Sequence, residues 1–584
     1  MRRVTLAAHV LFLALLSVGM LGCGGSSGTI EEHPMRFAVI GDRTGHAQPG
    51  MYEQVLEEIQ RMKPDFILTV GDMIQGYTDD TIAIKDEWEE YLKLTEPLTA
   101  PIYFTPGNHD IGDSTARELY RRFIGEPYYS FDIRGVHFIS LDNSIPDVIE
   151  DLDSEQIEWL AQDLEKSKGA LYTIVHFHKP FWIETVAKGK PDTLHSLFVK
   201  HGVDAVFTGH YHIYFSGEFD GVKYTGVGSS GGYLWPGPTG LEYHFMWVTV
   251  DGDGISIAPI KKDAILPWAE VTAAEFNFIE EIQDQAVRIE NAPLRADLTV
   301  PRTEIGITIK NLNDQAAIDD TLSWEVPDGW SVTPQSVRVG VGPANSSTFK
   351  FSVTSTGPVY PTPEVSLRYP YAEGKEFELT GDLGVSRTVY AYQVQEPPSI
   401  DGKVTDAVWK NPTTKFFAPD GSPMFTDPVY FYFAWDKDNL YIAAKCMETK
   451  MDSIRANVKE HDGAVYGEDC VGYFLQPETD DGPAYQIYFN PLGTAFDQKI
   501  LVKEGVEDVT ERDWDGTYEV KTLRGADYWS IEARIPLDQL DTENQAGKKW
   551  ALNFRRKQKR LDSAADWLVP IGYDPKDFGV LVLK

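Results

Sequence analysis

Between about Met35 and Pro259 the chain alternates short apolar runs with amphipathic stretches. In "DSEQIEWLAQDLEKS", Asp153 to Ser167, the apolar residues Ile157, Leu160, Ala161 and Leu164 recur at i, i+3, i+4 and i+7, and Asp153 and Gln156 stand in capping-box positions. The spacing predicts a helix there, and the stretches Tyr52 to Met62 and Asp192 to His201 predict two more. Helices interleaved with apolar runs indicate an α/β domain. Five of the runs end on polar residues: "FAVIGD" on Asp42, "PDFILTVGD" on Asp72, "PIYFTPGNHD" on Asn108, His109 and Asp110, "LYTIVHFHKP" on His178, and "VDAVFTGHYH" on His210 and His212. If the five runs are strands of one sheet, their ends can converge, because ligand sites of α/β sheets lie off the carboxyl ends of the strands.

The texture then changes. Residues 266–295 are expected to be a linker with some helix from Ala273 to Gln283, and from Ala296 short alternating strands broken by Gly, Pro and Asn indicate a small β-sandwich over 296–388. A third region, 389–584, is again rich in strand patterns. At 584 residues the chain exceeds what a single core supports, so several domains are expected.

Charge and the first residues narrow the classes. A net charge of -36, from 53 Lys and Arg against 89 Asp and Glu, disfavours a nucleic-acid partner, whose phosphates are usually neutralised by basic residues. Arg2 and Arg3 followed by the apolar stretch Val4 to Leu21 predict an export signal over 1–22. Leu21-Gly22-Cys23 resembles a bacterial lipobox, which implies lipidation of Cys23, a flexible tether over 23–34 and a secreted, membrane-anchored lipoprotein facing the periplasm or cell exterior. Plain secretion and an uncleaved anchor are the alternatives. Outside the cytoplasm the remaining pair, Cys446 and Cys470, is permitted to oxidise, and two separate buried thiols are the other reading.

The polar run ends supply Asp, Asn and His and no thiolate, a donor set suited to a pair of divalent ions such as Mn, Fe or Zn. Their order, Gly41-Asp42, Gly71-Asp72, Gly107-Asn108-His109-Asp110, His178-Lys179-Pro180 and Gly209-His210-Tyr211-His212, resembles that of calcineurin-like metallophosphoesterases. The resemblance spans residues 35–265 and implies a β-sandwich flanked by helices. It also implies that Asp42 and His212 bind the first metal, that Asp72 bridges, and that Asn108, His178 and His210 bind the second. His109 is then the general acid, oriented by Asp110. His176 also precedes the fourth motif, but the spacing to Pro180 selects His178.

The chain departs from the family pattern at one metal. Thr44 stands where many members carry a His, and Gln75 where others carry a Tyr, so the first metal keeps Asp42, Asp72 and His212, with water or Gln75 preferred over His46 to complete it. Arg43 either takes a substrate phosphate oxygen through its forked donors or pairs with a carboxylate.

Two further resemblances concern the β regions. "VPDGWSVTP", Val326 to Pro334, resembles a signature of immunoglobulin-like domains of secreted glycosidases, and the motifs from Ile400 onward follow the order of family 9 carbohydrate-binding modules. The second resemblance implies a possible glycan partner. Trp409, Trp529 and Trp550 fall in strand motifs and are expected in the core, whereas Trp514 and Trp567 are candidate platforms for a sugar ring. The expectation is an exported phosphoric ester hydrolase acting on a phosphomonoester or phosphodiester by a two-metal mechanism. The alternative is a non-catalytic surface carbohydrate-binding protein with a degenerate metal site.

Overall fold

The computed structural model describes residues 33–584 except 79, 236–241, 479–481, 504–505, 512–513, 544 and 573–574. The export signal, Cys23 and the tether up to residue 32 lie outside the described residues. The chain divides into two compact units, Met1–Phe276 and Asn277–Lys584.

The first unit is built on two six-stranded sheets. One contains β1 (Met35–Ile40), β2 (Phe66–Thr69), β3 (Ile102–Tyr103), β10 (His244–Asp251), β11 (Gly254–Lys261) and β12 (Ala264–Ile265), in the order β12-β11-β10-β1-β2-β3. The other contains β4 (Tyr129–Ile133), β5 (Val136–Ser140), β6 (Tyr172–His176), β7 (Ala205–Thr208), β8 (Phe215–Phe219) and β9 (Val222–Gly226), in the order β4-β5-β6-β7-β9-β8. β1, β2 and β3 run parallel, as do β5, β6, β7 and β9. Their strands are buried on both faces, which is why the sequence shows continuous apolar runs rather than alternation. Phe37, Phe66, Phe138 and Phe207 fill the space between the sheets, where Phe37 stacks on Phe66 with centroids 4.7 Å apart. Helices α1 (Met51–Met62), α2 (Thr81–Thr95) and α3 (Ser114–Phe123) cover the outer face of the first sheet through Leu56, Trp88 and Tyr120. Helices α4 (Ser154–Lys166), α5 (Phe181–Glu184) and α6 (Thr193–His201) cover the second through Leu160, Trp182 and Phe198.

The expected helices are therefore present, with one difference in capping. Asp153 accepts from the Glu155 N–H, but Gln156 does not close a capping box: its buried amide bonds the backbone N–H and carbonyl of Asp142. A complete capping box appears instead at α7 (Ala273–Gln285), between Thr272 and Glu275. The stretch expected as a linker is thus ordered, contributing α7 and the strands Val287–Ile289 and Ala292–Pro293.

The second unit holds two β-sandwiches. The first pairs two four-stranded sheets with an immunoglobulin-like arrangement, and Trp330 of the "DGW" stretch is buried with its indole N–H on the Val359 carbonyl. The second is joined into one path by the strand Thr388–Gln393, whose first half pairs with Gly579–Leu583 and whose end pairs with Val429–Trp435. Trp409, Trp529 and Trp550 lie in its core as expected. Trp567 does not form a platform: it is 1% exposed, stacked on Phe554 at 4.8 Å and beneath the Arg387 guanidinium. Trp514 is half-buried against Tyr485. Cys446 and Cys470 are separate buried thiols, both pushed up to about 12 by burial. No helix among the described residues is long and apolar enough to cross a membrane.

Because Trp567 is core, Trp567→Ala should cost about 3–5 kcal/mol as a large-to-small substitution. Chemical denaturation of the full chain checks this through an earlier unfolding transition of the second unit; an unshifted transition would return Trp567 to the surface.

Candidate metal centre

The six expected metal ligands from Asp42 to His212 collect at one end of the first unit, but not from one sheet. Asp42, Asp72 and Asn108 follow β1, β2 and β3 of the first sheet, while His178, His210 and His212 follow β6 and β7 of the second. Convergence was supposed for strands of one sheet; the site instead bridges the strand ends of two, as the β-sandwich implied by the resemblance has it. It brings donor atoms of Asp72, His178 and His210 within 4.8 Å of one another, and does the same for Asp42, Asp72 and His212. Asp72 is shared by both groups.

The histidine rings are aimed by backbone carbonyls. His178 Nδ1–H donates to the Val70 carbonyl at 2.7 Å, leaving Nε2 with its lone pair directed at the site. Around that Nε2 lie Asn108 Oδ1 at 2.8 Å, His210 Nδ1 at 3.1 Å and an Asp72 oxygen at 3.3 Å. His212 is fixed likewise, its Nδ1–H donating to the Tyr233 carbonyl at 2.8 Å, with Nε2 3.7 Å from Asp42. Lone-pair atoms packed this closely repel unless a proton or a metal ion sits among them, and the donor set of carboxylate, amide and imidazole fits the divalent ions implied by its chemistry. His176, by contrast, is turned away: its Nδ1 contacts Thr105 and the Thr69 carbonyl.

The loops are held by dense backbone bonding. Asp110 is fully buried and accepts N–H bonds from Asp72, Met73, Ile74 and Gly107. The Asp72 carbonyl in turn accepts from Arg43 N, Thr44 N and Thr44 Oγ1. Asp72, His210 and His212 all have positive φ (63, 76 and 55°), a conformation disfavoured for residues with a Cβ. Such strain persists at functional sites when the surroundings over-determine it.

Electrostatics follow from burial and crowding. Burial opposes charge on Asp72, but His178 and His109 outweigh it and hold the carboxyl well below the usual range. Asp42 moves the other way: burial and the nearby Asp72 raise it against His212 and His178. Burial also works against the His178 imidazolium, yet the Asp72 and Asp42 carboxylates push it up to about 9. His210 is lowered to about 3 by burial and by His178. Asp110 is pushed up to about 7 by burial and by Asp72, against its backbone donors.

Several site residues stand in roles other than those expected. Asp110 does not orient His109; the Gln75 carbonyl does, accepting from His109 Nδ1 at 2.6 Å, because the Asp110 oxygens are occupied by backbone N–H groups. Arg43 is not directed at the donor cluster. Its guanidinium takes both oxygens of Glu90, donates to the Met73 carbonyl and lies over the Tyr91 ring, so the carboxylate pairing is the one present. The Gln75 side chain contacts His109, and His46 sits edge-on to Tyr233 outside both donor groups. Sequence reasoning missed Tyr77, whose hydroxyl accepts from the Asn108 amide at 2.6 Å and whose ring packs edge-on to His109.

Residues 35–214 match the calcineurin-like phosphoesterase family, and residues 400–584 match the carbohydrate family 9 binding domain-like family. The chain thus carries a calcineurin-like metallophosphoesterase domain followed by an immunoglobulin-like sandwich and a family 9 carbohydrate-binding-module-like domain. Purple acid phosphatase 22 of Arabidopsis thaliana is 29% identical over 205 residues, which is 31% of this chain and 45% of that protein. Human serine/threonine-protein phosphatase CPPED1 is 26% identical over 216 residues, 32% of this chain and 67% of that one. The chain therefore spans about half the length of its plant relatives. A family 9 carbohydrate-binding module of Caldicellulosiruptor kristjanssonii in complex with glucose is 19% identical at a TM-score of 0.26, covering 34% of this chain and 95% of that one.

The close packing makes a steric prediction. A Cβ at Gly107 would stand 2.1 Å from Asp72 Oδ1, and one at Gly232 would stand 2.6 Å from the His212 ring. Gly107→Ala should therefore displace the shared carboxylate and lower retained metal by at least ~10-fold while the chain stays folded. Elemental analysis with circular dichroism checks this, and full metal retention would contradict it.

Proposed function

We propose that the first unit hydrolyses a phosphomonoester or phosphodiester with two divalent ions, of Mn, Fe or Zn, held in the two donor groups that share Asp72. The shared carboxylate is the observation that carries this reading, since two groups of hard and borderline donors joined through one Asp suit a paired-ion phosphoryl site. Asp42, Asp72 and His212 would hold one ion, and Asp72, Asn108, His178 and His210 the other. Ions so placed supply Lewis-acid charge for activating water and for neutralising phosphoryl oxygens. His109 keeps Nδ1 on the Gln75 carbonyl, so Nε2 is the nitrogen free to carry a proton to the leaving oxygen. Tyr77 fixes both the Asn108 amide and the His109 ring, and Lys179, buried and bonded to Asp147 and the Pro146 carbonyl, anchors the loop beside His178. The names of the relatives, phosphatases among them, agree with this chemistry. The family 9-like domain would hold the enzyme near glycans.

In an assay on aryl phosphate mono- and diesters with Mn, Fe or Zn supplied, Asp72→Asn should lose most of both ions and nearly all turnover. His109→Ala should keep both ions and lose ~10²–10⁴-fold in turnover. Wild-type protein that binds no metal and hydrolyses neither ester sinks the proposal.

We also propose export with a lipid on Cys23. Cys23→Ser should move the protein from the membrane to the soluble fraction, because lipid attachment is lost; unchanged fractionation would instead indicate an uncleaved anchor.

A further inference from the structure

One more cluster of ligand-type side chains lies in the second unit, within the family 9-like domain. Donor atoms of His461, Asp462 and Asp515 fall within 4.8 Å of one another. A fourth group completes it. Asp497, on the strand Ala495–Lys503, is 1% exposed, and its Oδ2 makes no hydrogen bond of good geometry: it lies 3.0 Å from His461 Nε2, with the buried Tyr518 hydroxyl beside the carboxylate. The same Nε2 is 3.5 Å from an Asp462 oxygen and 3.8 Å from an Asp515 oxygen.

We infer that His461, Asp462, Asp497 and Asp515 form a divalent-cation site for Zn²⁺. A buried carboxylate that a neutral hydroxyl meets only at poor geometry is costly unless a positive group faces it. A protonated His461 would bring one positive charge to three carboxylates, whereas a divalent ion brings two and satisfies the lone pairs on both sides. The spacing agrees: ligands at ~2.1 Å from an ion stand about 3.0–3.4 Å apart, close to the His461–Asp497 separation. An imidazole nitrogen nearest the buried oxygen favours Zn²⁺ over Ca²⁺, which takes six to eight oxygens. Half-exposed His461 and exposed Asp515 give the ion a route in from solvent.

The backbone is arranged to hold the four together. Asp462 N–H donates to the Ala495 carbonyl, Asp497 N–H reaches Asp462 Oδ1, and Gly516 N–H donates to Asp497 Oδ1 at 3.0 Å. An ion here would staple three segments distant in sequence: the loop at 461–462, the strand at 497, and the turn at 515 leading into Glu519–Arg524.

The test uses the full chain, stripped with chelator and reloaded with Zn²⁺, and compares wild type with His461→Ala and Asp497→Asn. His461 is exposed enough that its replacement leaves the fold intact. Each variant should bind one Zn²⁺ fewer per chain than wild type, and a Co²⁺ titration should lose one equivalent of visible-region absorption. Zn²⁺ should also raise the unfolding midpoint of the second unit by several degrees in wild type but not in His461→Ala. Equal metal content in wild type and His461→Ala overturns the site, as does a midpoint that responds to Ca²⁺ and not to Zn²⁺. The metal count is read without any ester hydrolysis, so it stands or falls apart from the phosphoesterase reading.

Discussion

Four backbone N–H groups converge on one buried carboxylate, and the phosphoesterase site depends on that convergence. Asp110 takes the amides of Asp72, Met73, Ile74 and Gly107, which would otherwise be buried donors without partners, each costing about 1–3 kcal/mol. By collecting them it forces the turn after β2 into a shape in which Asp72 has φ of 63°, with its carboxylate directed at the histidines. The Asp72 carbonyl, pointing the other way, fixes Arg43 and Thr44 and so ties the first loop to the second. One side chain thereby sets the mutual position of three loops.

The second determinant is the meeting of two sheets. Carboxylates and the asparagine come from one sheet and histidines from the other, so the anionic and imidazole donors approach from opposite sides. The phenylalanine cluster between the sheets makes that distance stiff, because a close-packed apolar layer transmits small displacements rather than absorbing them. Imidazoles aimed by carbonyls surround a strongly acidic Asp72, so the negative charge of the site is concentrated on the shared carboxylate.

Much of this was legible in the sequence because strand ends carry their own punctuation. A buried parallel strand must be apolar throughout, so a polar residue at its end stands out, and Asp42, Asp72, Asn108, His178, His210 and His212 were all recognisable that way. The choice of His178 over His176 agrees with the observed direction of the two rings. What stayed hidden involves backbone atoms and distant partners. No side-chain pattern announces that the Gln75 carbonyl, rather than Asp110, orients His109, nor that Arg43 meets Glu90 on a helix 47 residues on. Nothing in the sequence around Trp567, one residue past the strand Ser563–Asp566, signals its burial, which depends on packing against Phe554 and Arg387. Division of the strands between two sheets was legible only through the family resemblance, since a run buried on both faces has the same composition in either layer.

The strand Thr388–Gln393 has a consequence for how the last sandwich comes into being. Thr388 pairs with Val580, so the first part of that domain's opening strand finds this neighbour only after 192 further residues have been made, although its end can pair with Val429–Trp435 much sooner. A ribosome-bound chain would carry that edge unpaired for most of the domain's synthesis, at the elongation rates of about 5–20 residues per second seen in cells. Closure so remote in sequence belongs to the slow end of folding rates. Over that interval the exposed edge is open to pairing with another nascent chain, so assembly of this domain depends on keeping neighbouring copies apart until the last strand arrives.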